Sequence, residues 1–141
     1  MAEMTAEMKR VVLLDRDAAG RREAAAALSG LFPGAALAEA ASLQEAQAGW
    51  SGPAPDMVMV GLARDDASGL ETLRRIRAMA PDALLCLYAE ATPESVRAAL
   101  CELRCAMIST PVSADKIVAA LDCAAAEQAL GDRAATALAF A

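Results

Sequence analysis

A chain of 141 residues is long enough for one domain with a sizeable core. Its formal charge of −6 argues against direct contact with nucleic acid and leaves room for a basic protein partner. Hydrophobic residues make up 57% of it, largely alanine, and aromatics only 3%, which suits Ala-rich helices packed close against another layer.

The polar start "MAEMTAEMKR" has no apolar run behind a basic segment, so no signal peptide is expected. Later apolar segments are interrupted well short of the ~18 residues that span a bilayer. A soluble, cytoplasmic protein without membrane contact is the expectation. Cys86, Cys101, Cys105 and Cys123 are then reduced, as small buried or half-buried thiols. "CELRC" sets Cys101 and Cys105 four apart, on or near one helix. With no histidine and no second such pair, no zinc site is expected.

"VVLL" (Val11–Leu14) reads as a first short strand. Ala24, Ala27, Leu28 and Leu31 then recur at i, i+3, i+4, i+7, a helical stripe that Pro33-Gly34 ends. "AALAEAAS" is a weak second strand, with Ala where Val or Ile would be stronger. Ser42 caps a short helix, "LQEAQAGW", and "SGPAP" is a loop. "MVMVGL" (Met57–Leu62) is the third strand.

Ser68 and Glu71 have capping-box spacing at the start of "GLETLRRIRAMA". There Leu70, Leu73 and Ile76 face one way, and Arg74, Arg75 and Arg77 mostly another. Pro81-Asp82 breaks this helix, and "ALLCLYA" is the fourth strand. Thr92 is an N-cap with Pro93 at the first helical position, before a stripe of Val96, Ala99, Leu100 and Leu103. "AMIS" is a fifth strand. Ser113 opens a last helix with Ile117, Ala120, Leu121 and Ala124 on one face.

These are five β-α units. Strands one, three and four are continuous apolar runs, as in a parallel sheet covered on both faces. Right-handed crossovers make a doubly wound α/β sandwich the natural arrangement. The expected organisation is a tail over residues 1–9, one domain over 10–130, and a helix extension or tail over 131–141. Ligands of such sheets bind beyond the carboxyl ends of the strands. That rule selects "DRD" (Asp15–Asp17), "GLARDD" (Gly61–Asp66), "YAEAT" (Tyr88–Thr92) and "STP" (Ser109–Pro111).

These segments resemble the motifs of response-regulator receiver domains, over roughly residues 10–130. "LDRDA" stands for the acidic motif after the first strand, and "PDMVMVGLARDDASGLE" matches the third-strand motif without a gap. "YA" (Tyr88-Ala89) and "TP" (Thr110-Pro111) stand where the family has "TA" and "KP". The resemblance implies a flavodoxin-like, five-stranded parallel sheet in the order 2-1-3-4-5 and a role in two-component signalling or a phosphorelay. The family's chemistry is phosphoryl transfer to an aspartate beside a Mg²⁺ held by acids.

By the same alignment, the residues depart from that chemistry. Gly61 stands at the nucleophile position and Asp15 at the first metal acid, with Arg16 reversing the charge at the second. Tyr88 replaces the switch hydroxyl and Thr110 the lysine. The resemblance therefore implies the fold while denying the reaction, and the Mg²⁺ site is expected to be lost. The peptide at Thr110-Pro111 is expected to be cis, as is common in the family.

Asp17, Asp65 and Asp66 are candidate loop acids, but an in-line nucleophile must be held at near-contact distance, and loop acids are usually just solvated. Arg16 has two readings: a built-in cation folded toward Asp15, Asp65 or Asp66, or a solvated side chain. Tyr88 either fills the vacated pocket, its hydroxyl on a polar partner, or lies on the surface as an anchor.

A binding surface would remain. The resemblance implies pairing through the fourth helix, fifth strand and fifth helix, where Glu94, Arg97, Arg104, Asp115, Lys116 and Asp122 offer both signs of charge. An ordinary solvated surface is the alternative. The expected function is a phosphorylation-independent protein-interaction module, possessing no enzymatic activity, with a signalling protein or a second copy as partner. It would be a stand-alone adaptor or the N-terminal part of a longer regulator with an output domain. A sensor of small molecules or anions, using Arg16, Arg64, Tyr88 and Thr110, is the alternative from another class. A residual phospho-acceptor at Asp65 or Asp66 is the third. No histidine base, nucleotide-binding glycine fingerprint or metal cluster supports an enzyme.

Overall fold

The computed structural model describes residues 8–48, 50, 54–62, 68–90 and 94–123. In chain order the elements are β1 (Arg10–Leu14), α1 (Ala18–Leu31), β2 (Ala36–Ala40), α2 (Leu43–Ala48) and β3 (Met57–Leu62). They continue with α3 (Gly69–Met79), β4 (Leu84–Ala89), α4 (Glu94–Leu103), β5 (Cys105–Ser109) and α5 (residues 114–123). All strand pairs are parallel, in the order β2-β1-β3-β4-β5. This is the expected flavodoxin-like, doubly wound sheet.

The period of two along each strand divides the core. Val58, Val60, Leu85 and Leu87 point to one face, where Leu73 and Ile76 of α3 and Val96 and Ala99 of α4 cover them. Met57, Met59, Cys86 and Tyr88 point to the other, against Ala24 and Leu28 of α1 and Ile117 and Leu121 of α5. The inner strands β1, β3 and β4 are buried almost throughout, as continuous apolar runs require. Alanine-rich β2 is an edge strand and largely exposed.

The helix starts are only partly those expected. Ser42 Oγ accepts the Glu45 N–H at 3.1 Å and Glu45 Oε2 accepts the Ala41 N–H at 3.2 Å, a reciprocal cap for α2. Ser113 Oγ accepts the Lys116 N–H at 3.3 Å and opens α5. The box expected at Ser68 does not form. Ser68 has ψ of 2° instead of the extended value an N-cap needs, and its side chain makes no capping bond. Glu71 instead pairs with Arg75 one turn on, at 2.8 Å. The expectations for Thr92, Pro93, Ala124 and residues 131–141 lie outside the described residues.

Arg77 has a role that the helical pattern of α3 did not assign to it. Its guanidinium turns inward and donates to five carbonyls: Leu103 at 2.9 Å, Ala80 at 3.2 Å, Pro81 at 3.1 Å, Ala83 at 2.8 Å and Arg104 at 3.1 Å. These lie at or just past the ends of α3 and α4, where unpaired carbonyls and the negative end of the helix dipole favour a cation. Arg104 Nη2 adds a bond to the Pro81 carbonyl at 2.8 Å. Arg104 itself has φ of 54°, the left-handed turn that ends α4 and sends the chain into β5. Cys105 is therefore a buried strand residue and does not share a helix with exposed Cys101.

Candidate functional site

The carboxyl ends of β1, β3 and β4 bring Asp15, Gly61 and Tyr88 together. Gly61 and Tyr88 are partners in the β3–β4 register. Asp15 follows β1, and its N–H continues the sheet by donating to the Ala40 carbonyl at 3.0 Å. An open cleft of about 580 Å³ lies above them, lined among others by Arg16, Asp17, Glu23, Glu90 and Thr110.

Asp15 is the only buried charged residue among those described, at 7% exposure. A buried carboxylate must have its oxygens satisfied. Tyr88, 3% exposed, donates its hydroxyl to Asp15 Oδ2 at 2.6 Å, the length of a charge-assisted bond. Asp15 Oδ1 accepts the Asp17 N–H at 2.9 Å. The Asp15 carbonyl accepts from Arg21 Nη1 at 2.8 Å, and Arg21 Nε lies 3.6 Å from Glu39 on β2. Burial pushes the Tyr88 phenol well above its ordinary ionisation range, and the bond to Asp15 pushes further the same way. The phenol is thus a proton donor at any physiological pH.

Gly61 is demanded by space. A Cβ there would stand 2.6 Å from Asp15 Oδ2, 2.7 Å from Asp15 Cγ and 2.7 Å from Tyr88 Cε2. The volume a side chain would need is already held by the Asp15–Tyr88 pair. Gly20 serves the same pair from α1, where a Cβ would come within 2.9 Å of Asp15 Oδ2. Filling of the pocket by Tyr88, with Asp15 as the polar partner, is the arrangement found. Gly20, Arg21 and Arg77 were not singled out from sequence. A glycine in the first turn of a helix was the available signal for Gly20, and a cation in the last turn before a Pro-Asp break was the signal for Arg77.

Arg16 is exposed and, among the described residues, forms no ion pair with Asp15. Of its two readings, the cation folded toward an acid has no ion pair to Asp15, whose carboxylate the phenol holds, while its alternatives Asp65 and Asp66 lie outside the described residues. Asp17 is the N-cap of α1, its carboxylate accepting the Gly20 N–H at 3.2 Å. Arg64, Asp65 and Asp66 lie outside the described residues. Thr110 is exposed at the rim, and the Thr110-Pro111 peptide is cis, as expected.

On the α4-β5-α5 side, Glu94, Arg97 and Asp115 are exposed and Asp122 is half-buried. Arg104 and Lys116 are committed within the fold. Lys116 Nζ donates to the Ser109 carbonyl at 3.2 Å and the Pro111 carbonyl at 2.9 Å. Met107 of β5 is 47% exposed, the one large hydrophobic residue so exposed among those described. Among the described residues, no helix is long and apolar enough to cross a membrane.

No protein-family model matches the chain, and no curated protein matches it significantly. Solved structures do match. A response regulator from Burkholderia pseudomallei, determined with a phosphorylated aspartic acid, calcium and citrate, is 20% identical with a TM-score of 0.68; the match covers 87% of this chain and 72% of that one. A CheY-like receiver domain protein from Methanospirillum hungatei JF-1 is 17% identical at a TM-score of 0.68, covering 89% and 99%. The signal receiver domain of an HD domain-containing protein from Pseudomonas fluorescens Pf-5 is 20% identical at 0.69, covering 86% and 98%. The chain thus has the fold of response-regulator receiver domains, with Asp15, Gly61 and Tyr88 gathered where its strands end.

Proposed function

We propose that this chain is a receiver-type signalling module that works without phosphorylation, by binding a protein partner. The observation that carries this reading is the occupied space over Gly61. The strand end offers no nucleophile, and the place for one is filled by the Asp15–Tyr88 pair. The role is regulatory and not catalytic. Its binding surface is α4, β5 and α5, where Met107, Glu94 and Arg97 are exposed, and a second copy is one candidate partner.

The test is incubation with acetyl phosphate and Mg²⁺, read by intact mass. No phosphoryl adduct is expected. An adduct mapping to Asp65 or Asp66 would replace this reading with a displaced phospho-acceptor.

The open cleft favours a second reading, a sensor of a small molecule or anion with Arg16 and Thr110 at its rim. Thermal shifts across a metabolite set test it, and a flat response throughout removes it.

A further inference from the structure

We infer that the Tyr88 hydroxyl takes the place of a cation at Asp15, so that the Asp15–Tyr88 bond and a bound divalent ion exclude each other. This rests on the proposed reading of the pocket as a receiver site without phosphorylation.

The receiver fold implies a Mg²⁺ beside Asp15, and the residues present do not fit one. Mg²⁺ demands a near-octahedral shell of oxygens and is held through carboxylates. Here Oδ2 of Asp15 is engaged by a phenol at 2.6 Å and Oδ1 by the Asp17 N–H at 2.9 Å. The Asp17 carboxylate is spent on the cap of α1, Arg16 brings a positive charge next door, and Gly61 brings no oxygen from a side chain. Among the described residues, no group of three acid, cysteine or histidine side chains is placed to hold a metal.

A neutral donor solves the same problem that a cation would. Asp15 is buried and charged, and an unpaired buried carboxylate is costly. The phenol supplies a short bond without adding charge, and its burial keeps the proton on it. Arg21 fixes the Asp15 carbonyl from α1. The end of β1 is thereby tied to the end of β4, across 73 residues of sequence, with no ion needed. The site is held in one arrangement, whatever the cation concentration.

Mn²⁺ binding, followed by electron paramagnetic resonance and calorimetry, tests this on five proteins: wild type, Asp15→Asn, Arg16→Asp, Arg16→Asp/Tyr88→Phe and Arg16→Asp/Tyr88→Ala. Circular dichroism checks the fold of each, and the Phe variant keeps the ring in place if the Ala variant does not fold. Wild type should bind no ion at this site, and Arg16→Asp only weakly. Removing the phenol as well should create a site about tenfold or more tighter than Arg16→Asp, the scale of losing or gaining a ligand's supporting contact. The inference is overturned if wild type binds one ion that Asp15→Asn abolishes. It is equally overturned if Arg16→Asp binds as tightly as the folded double variants, or if those variants bind no better than it. No phosphoryl donor is present, so these outcomes are separate from the acetyl phosphate result.

Discussion

Gly61 and Tyr88 face each other across β3 and β4, and a Cβ on Gly61 would lie 2.7 Å from Tyr88 Cε2. The two residues are therefore one feature. A tyrosine at this place fits only because the neighbouring strand has no side chain, and the glycine leaves no void because the tyrosine fills it. Asp15 completes the set, since its carboxylate both receives the phenol and occupies the other side of the same space.

The pair has a pH signature. Tyr88 is the chain's sole tyrosine, so phenolate absorbance reads it alone. Its folded ionisation is raised above the ordinary 10.0, by burial first and then by Asp15. When the folded value is the higher one, the native state holds a proton that the unfolded chain has released. The contribution to stability is full below about pH 10 and declines as the pH rises from there toward the native value. Phenolate absorbance should appear only together with loss of the helical circular dichroism signal. Ionisation near pH 10 with the fold intact would contradict the buried bond.

Arg77 is the second feature with a measurable consequence. Its five carbonyl partners join the turn after α3 to the turn after α4. Truncation leaves several of these carbonyls without a donor. Arg77→Ala should cost about 1–3 kcal/mol in urea unfolding. Arg77→Lys should recover little, because an ammonium cannot spread its donors as a guanidinium fork does. Arg74→Ala, on the exposed face, should leave the midpoint nearly unchanged.

The cysteines divide by place. Cys101 and Cys123 are exposed, while Cys86 and Cys105 are buried on the sheet. Burial pushes the Cys105 thiol up to about 12 and Cys86 higher still. The thiolate is the reactive form, so both should resist labelling. A disulfide reagent should modify two thiols rapidly in the native protein and four in denaturant. Fast labelling of all four in the native protein would mean that β4 and β5 are not packed as described.

Strands β1, β3 and β4 were legible because a parallel sheet covered on both faces writes itself as unbroken apolar runs, as "MVMVGL" does. The site was legible from where those runs end. The partner of Tyr88 was not, because Asp15 lies 73 residues away in sequence and only the register of β1, β3 and β4 sets them against each other. The carbonyl contacts of Arg77 were not legible because helical periodicity gives the direction of Cβ, while a long side chain can bend back to carbonyls beside it. Ser68 failed as a cap because the spacing to Glu71 says nothing about the ψ the serine adopts.

The most direct test of the filled pocket is Gly61→Asp alone, incubated with acetyl phosphate and Mg²⁺ and read by intact mass, with circular dichroism confirming the fold. The new side chain has to enter space held by Asp15 and Tyr88, and Arg16, Tyr88 and Thr110 remain as they are. No stable phosphoryl adduct is predicted. A folded Gly61→Asp protein that becomes phosphorylated on the new aspartate would contradict the account, by showing that the pocket needs only its nucleophile restored.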